Sequence, residues 1–192
     1  MSAAIQKIDE SKAYIVTYTG KQFWLLKPKI EDICIEDIAH SLSMQCRWTG
    51  HTKYHYSIAQ HCYYCSLLGP ENEALERLMH DASEAYMGDM NRPLKHYTEA
   101  GPAYRRQENV VQGVIGECFG LAPIEPRSVH DADQTMLYTE KSQLITMVGF
   151  GMSDPWGDVP VSDNIIIEEW TPAFAEKVFL KRFEELYKRR TN

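Results

Sequence analysis

A chain of 192 residues in which 44% of the side chains are hydrophobic is long enough to bury one substantial core and short for two. Its 20 Lys and Arg against 27 Asp and Glu give a formal charge of −7, which argues against a nucleic-acid partner, since duplex binding needs clustered cations on phosphates; a small anionic ligand needs only a local basic pocket. Five cysteines, the lack of an apolar run of about 18 residues and the lack of a continuous apolar stretch near Met1 speak against a disulfide framework, a membrane span and an export signal, so the expectation is a cytoplasmic protein with no membrane partner.

Residues 14–26 hold two β-branched and aromatic runs around Thr19-Gly20-Lys21, the composition of a short hairpin and the only sheet expected. From residue 32, Ile35, Ile38, Ala39, Leu42 and Cys46 recur at three- and four-residue intervals, which predicts a helix ending near Arg47. The TGHTKYH stretch (49–55) reads as a loop. Residues 57–68 carry Ile58, Ala59, Cys62, Cys65 and Leu68 at helical spacing and stop at Gly69-Pro70. A third helix is predicted over 73–87, with Ala74, Leu75, Leu78, Met79 and Ala82 apolar and Gly88 as its end. Further helices are predicted over 104–119 and 126–148. The Gly-, Pro- and Asp-rich 149–170 reads as a loop. Thr171-Pro172 then opens a last helix with Phe174, Val178, Phe179, Phe183 and Leu186 on one side, able to pack on the core or on a neighbour. No internal repeat is present. The reading is one domain over 1–192, an all-α helical bundle with a small N-terminal β-hairpin.

The chemistry concentrates in LMHDASEAYMGD, where His80 and Asp81 are adjacent, with His61 upstream and Asp133 downstream in DADQTMLYTEK. Two imidazoles and two carboxylates are nitrogen and oxygen donors suited to Zn, Mn, Fe, Co or Mg, and a site without thiolates that leaves room for water suits metal-dependent hydrolysis. On one helix, Glu84 would share a face with His80 and Asp81, and the remaining ligands would come from other helices. Taken singly, each of these residues is as well read as an ordinary helix residue. Arg47 and Trp48 offer a phosphate fork and a flat apolar surface, or else a helix-terminal cation and a core indole. Arg92 and Lys95 after the metal helix, and His51 beside the first ligand helix, could meet phosphates. Lys53, His55 and His96 read as surface groups, and the Cys62-Tyr63-Tyr64-Cys65 pattern as helix packing rather than a redox motif.

The stretches CIEDIAHSLSMQCRWTGHTKYHYSIAQHCYYCSLL, LMHDASEAYMGDMNRPLK and DADQTMLYTEK resemble the HD-domain phosphohydrolase superfamily, and more narrowly the small phage and bacterial enzymes related to 5′-deoxynucleotidases and viral dATP triphosphohydrolases. The resemblance runs from about Phe23 to Phe183 and is weakest over 149–170. It implies an HD-domain bundle whose metal ligands are His61, His80, Asp81 and Asp133; Asp133 is preferred to Asp131 by its place in the A-D-x-x-x-L-x-T-E pattern. It further implies catalytic carboxylates at Glu84 and Asp89, each able to handle a proton or hold a second ion such as Mg, and a substrate pocket containing Arg47 and Trp48. The activity implied is hydrolysis of a small nucleotide by a Zn-, Co- or Mn-loaded homo-oligomer, foremost of dATP to deoxyadenosine and triphosphate. The alternatives are a 5′-nucleotidase on deoxynucleoside monophosphates, hydrolysis of a cyclic or alarmone nucleotide, and a noncatalytic nucleotide-binding protein stabilised by its metal.

Overall fold

A computed structural model describes residues 12–146 and 161–191; the expected loop residues 149–160 and the end of the predicted helix at 147–148 lie outside the described residues. The protein is mostly helical, with a two-stranded antiparallel sheet near its N-terminus. Strands β1 (Tyr14–Val16) and β2 (Gln22–Trp24) pair Tyr14 with Trp24, Ile15 with Phe23 and Val16 with Gln22. Alternation along β2 puts Phe23 inward, where its ring stacks on Tyr86 at 3.9 Å. The turn is fastened to the first helix, since the Thr19 amide and hydroxyl both donate to the Asp37 carboxylate (2.7 and 2.9 Å).

Helix α1 (Ile35–Met44) buries Ile38, Ala39 and Leu42 and ends three residues before the predicted Arg47. It stops because the backbone is claimed elsewhere: Cys46 bridges Ser57, the Arg47 amide donates to the Tyr56 carbonyl and the Ile58 amide to that of Gln45. These bonds draw residues 46–57 into a closed loop, in which Trp48 and Thr49 both adopt left-handed backbone (φ 56° and 53°). Helix α2 (Ile58–Ser66), capped by the Ser57 hydroxyl on the Gln60 amide, is buried on nearly every side and is the axis of the bundle.

The single helix predicted over 73–87 is two short ones, α3 (Ala74–Met79) and α4 (Glu84–Met87). Between them the amides of Ala82, Glu84 and Ala85 reach back three residues rather than four, and His80 Nδ1 takes the Arg77 carbonyl at 2.8 Å. Helix α5 (Arg92–Tyr97), capped by Asn91 with Pro93 in its first turn, was not expected. It buries no residue and so carries no apolar stripe to read. Helix α6 (Ala100–Phe119) begins four residues before the predicted start, and α7 (Arg127–Leu144) falls within the predicted segment.

Residues 161–170 are irregular, as expected of a loop, yet three of them are anchored in the core. Ile165, Ile167 and Trp170 are buried, the Gln143 carboxamide bonds the backbone of both isoleucines, and Gln60 holds the Glu168 carbonyl. Helix α8 (Pro172–Thr191), capped by Thr171, lays Ala175, Phe179, Phe183 and Leu186 across α1, α2 and α3, so its apolar side belongs to the chain's own core. Arg77 is a fully buried brace, donating to the Cys65 and Pro70 carbonyls and to Ser128 Oγ. Among the described residues no helix is long and apolar enough to cross a membrane.

Candidate metal centre

His61 projects from the middle of α2 and is fully buried; His80 and Asp81 occupy the tight turn after α3; Asp133 comes from α7. The fold brings their side chains together. His61 Nε2 lies 3.4 Å from His80 Nε2, 3.3 Å from Asp133 Oδ1 and 3.7 Å from Asp81 Oδ2, and His80 Nε2 lies 3.2 Å from Asp81 Oδ2. Ligand atoms around one ion at bond lengths near 2.1 Å stand about 3.0–3.4 Å apart, so these spacings are close to a coordination shell. Asp131, two residues before Asp133, is instead exposed and pairs with Arg127 at 3.5 Å.

The other ring nitrogens fix the chemistry. Glu140 Oε1 receives the bond from His61 Nδ1 (2.5 Å), and the Arg77 carbonyl receives that from His80 Nδ1. A carboxylate and a carbonyl can only accept, so both Nδ1 atoms carry a proton, and each Nε2 faces the two aspartates, as a lone pair only when its imidazole is neutral. Without a cation such a convergence needs protons. Burial pulls the His80 imidazole down, but Asp81 and its hydrogen bond hold it well above the ordinary range; His61, opposed by burial and Arg47, is likewise raised by Cys65, Glu140 and Asp133. Asp81 and Asp133, despite burial, are held far below the usual carboxylate range by His80, His61 and Arg47. A divalent ion would satisfy the same four atoms with the imidazoles neutral.

Glu140 is the residue that the sequence reading missed. Fully buried on α7, it accepts from His61 Nδ1, from Tyr56 Oη (2.9 Å), from Trp48 Nε1 (2.9 Å) and from Arg47 Nε (3.2 Å). It closes the A-D-x-x-x-L-x-T-E pattern seven residues after Asp133, two turns along the same helix face, and that spacing was the available signal. Despite burial, Arg47 and His61 keep it ionised.

Arg47 and Trp48 therefore reach the centre, but as partners of Glu140. The terminal guanidinium nitrogens of Arg47 stand 3.5 Å from Asp81 and 3.9 Å from Asp133, looser than the Nε contact. Glu84 is buried beside Asp81 at the head of α4, and its Oε2 is buried without a hydrogen-bond partner. Burial, Asp81 and Asp89 push its carboxyl well up, and burial and Asp81 raise Asp89 against the pull of Arg47 and Lys95. A single side chain holds the backbone of both: Gln45 Nε2 donates to the Glu84 carbonyl (3.0 Å) and Gln45 Oε1 accepts from the Asp89 amide (3.2 Å).

The outer candidates are less drawn in. Lys95 pairs with Glu108 at 2.7 Å and lies over the Tyr104 ring, while Arg92 and His51 are exposed. Lys53 reaches the Gln143 carbonyl and His55 the Ser43 carbonyl. The thiols expected only to pack lie against the two histidines: Cys65 Sγ is 3.4 Å from His61 Nε2 and Cys62 Sγ 3.9 Å from His80 Nδ1. His61, Cys65 and His80 form one group able to hold a metal ion, and Cys62, His80 and Asp81 another.

No family model matches the chain. Over 177 residues, 91% of this chain and 96% of the relative, it is 39% identical to a protein of Escherichia coli strain K12 called uncharacterized protein YfdR. Over 139 residues it is 34% identical to an uncharacterized protein of Rhodobacter capsulatus, covering 66% of this chain and 70% of that one.

Proposed function

This chain belongs to the family of Escherichia coli YfdR, and we propose that it is a divalent-metal-dependent phosphohydrolase of the HD type, cleaving the bond between the α-phosphorus and the 5′-oxygen of a deoxynucleotide. The observation that carries the reading is the meeting of two imidazole Nε2 atoms with the Asp81 and Asp133 carboxylates, each imidazole anchored through Nδ1. These four residues would hold Zn, Co or Mn. When bound, such an ion supplies charge to a phosphoryl oxygen and lowers the pKa of water toward about 7.

The chain's own groups would do the rest. Glu140 holds His61 in its metal-binding tautomer, and Arg47, anchored by Nε, keeps two nitrogens for a non-bridging phosphate oxygen that competes with the loosely held aspartates. Glu84 and Asp89 supply carboxyl groups for taking a proton from water, giving one to the departing 5′-oxygen, or holding a second ion such as Mg. The partnerless Glu84 Oε2 favours catalysis over a merely structural metal, since a group buried without a partner is costly unless a ligand or a proton transfer uses it.

Cleavage of dATP to deoxyadenosine and triphosphate, and of a deoxynucleoside monophosphate to nucleoside and phosphate, break this same bond. The resemblance favours dATP. The pairing of Lys95 with Glu108 and the exposure of Arg92 favour the monophosphate, because they leave fewer cations for β- and γ-phosphates. The test is metal-stripped protein reloaded separately with Zn, Co, Mn and Mg and assayed on the four dNTPs and four dNMPs with products separated. A deoxynucleoside product from either class, lost in His80→Ala and Asp81→Ala, is the expected outcome. A tightly bound metal with no turnover of any nucleotide would leave the noncatalytic reading.

A further inference from the structure

A cleft of about 520 Å³ lies between the hairpin, α1 and α4. Its walls are Ile15 to Tyr18 of β1 and the turn after it, one side of α1 from Asp37 to Met44 with Gln45 just beyond, and Ala85, Tyr86 and Gly88. One end borders the segment that carries Glu84 and Asp89: Gln45 lines the cleft while its carboxamide bonds the Glu84 carbonyl and the Asp89 amide, and Gly88 lines it directly before Asp89.

The lining suits a neutral, flat ligand. No lysine or arginine lines the cleft among the described residues, and its one carboxylate, Asp37, is already used by the Thr19 amide and hydroxyl. The Tyr18 and His40 rings stack at 3.7 Å and 10°, and His40 is pinned through Nδ1 to Glu176 at 3.0 Å, so the aromatic wall is preorganised. Thr17 Oγ1, on the same wall, is buried without a hydrogen-bond partner. A rigid aromatic surface, an unused hydroxyl and a volume within the range of small-ligand sites describe a pocket for a heteroaromatic ring with polar edges. Phosphate is provided for separately by Arg47.

We propose that this cleft is the nucleoside subsite, taking the base and deoxyribose of the substrate while the phosphate lies at the metal centre. The assignment rests on the deoxynucleotide phosphohydrolase reading, but its test does not require turnover. Metal-stripped protein is titrated with each of the four deoxynucleosides by calorimetry, in wild type, Tyr18→Ala and Met44→Trp. Tyr18 is 62% exposed and Met44 58% exposed, so both substitutions leave the core intact, and circular dichroism checks this.

One-to-one binding of at least one deoxynucleoside is expected, weakened roughly tenfold by loss of the aromatic wall and abolished when the tryptophan fills the mouth. In turnover, Tyr18→Ala should raise KM for the deoxynucleotide with kcat little changed. Deoxynucleoside binding insensitive to both substitutions, or none at all while nucleotide hydrolysis persists with unaltered KM in Tyr18→Ala, overturns the subsite and leaves the phosphohydrolase reading standing. Variant-sensitive binding in a protein that hydrolyses no nucleotide keeps the pocket and removes the reaction.

Discussion

Glu140 does at the scale of one side chain what the four proposed ligands cannot do for themselves. Its carboxylate joins His61, Tyr56, Trp48 and Arg47, so a single substitution disturbs the ligand tautomer and the guanidinium together. Glu140→Gln would turn an amide N–H toward groups that are themselves donors, and loss of such a partner weakens metal binding by about 10–100-fold. Competition with a coloured chelator would measure this, and unchanged affinity would mean that Glu140 is only a packing group. The two neighbouring aspartates give a second comparison. Asp133→Asn should lose the metal and turnover, whereas Asp131→Asn, on an exposed residue paired with Arg127, should alter neither. The convergence of His61, His80, Asp81 and Asp133 was legible because motif order records these four residues. Glu140 was not, because a residue that touches a ligand rather than the metal leaves only a helix-face spacing.

Among the elements, the turn from α3 to α4 shows why pattern reading ran past a break. Leu78, Met79 and Ala82 are all fully buried, so the apolar spacing continues although the helix does not; what ends it is the His80 side chain taking the Arg77 carbonyl. Helix α5 escaped for the opposite reason, having no buried face. Two backbone positions next to the site make the strain testable. Gly88 sits at φ 77°, ψ 151°, a region essentially closed to residues with a Cβ, so Gly88→Ala should destabilise by about 1–3 kcal/mol and displace Asp89. Thr49 already bears the left-handed cost at φ 53°, and Thr49→Gly, which removes it, should be neutral or stabilising by up to about 1 kcal/mol. Urea midpoints for the pair would be read against each other. Equal destabilisation by both changes would show that side-chain contacts, not backbone geometry, govern this loop.

At the scale of the whole molecule, α2, the turn after α3 and α7 pack on one another in the core and deliver two imidazoles and two carboxylates to one point, so a bound metal ion would be coupled to folding. In the metal-free protein the raised His61 and His80 contribute stability that is full below their ordinary 6.5 and is lost as pH rises through their folded values. The lowered Asp81, Asp133 and Glu140 work in the opposite direction, contributing above the ordinary carboxylate range and losing it as pH falls through their folded values. A metal ion bound there would replace the imidazole protons, so its stabilisation should grow with pH as the metal-free protein weakens. At a free metal concentration 100 times Kd the gain is about 2.7 kcal/mol, or about 5–10 °C in Tm for a chain of this size. Thermal melts with and without Zn or Co, from pH 5.5 to 8, should therefore diverge toward alkaline pH, and His61→Ala with His80→Ala should remove the divergence. Melts that separate most at acid pH would place the ion on the carboxylates alone, away from the imidazoles.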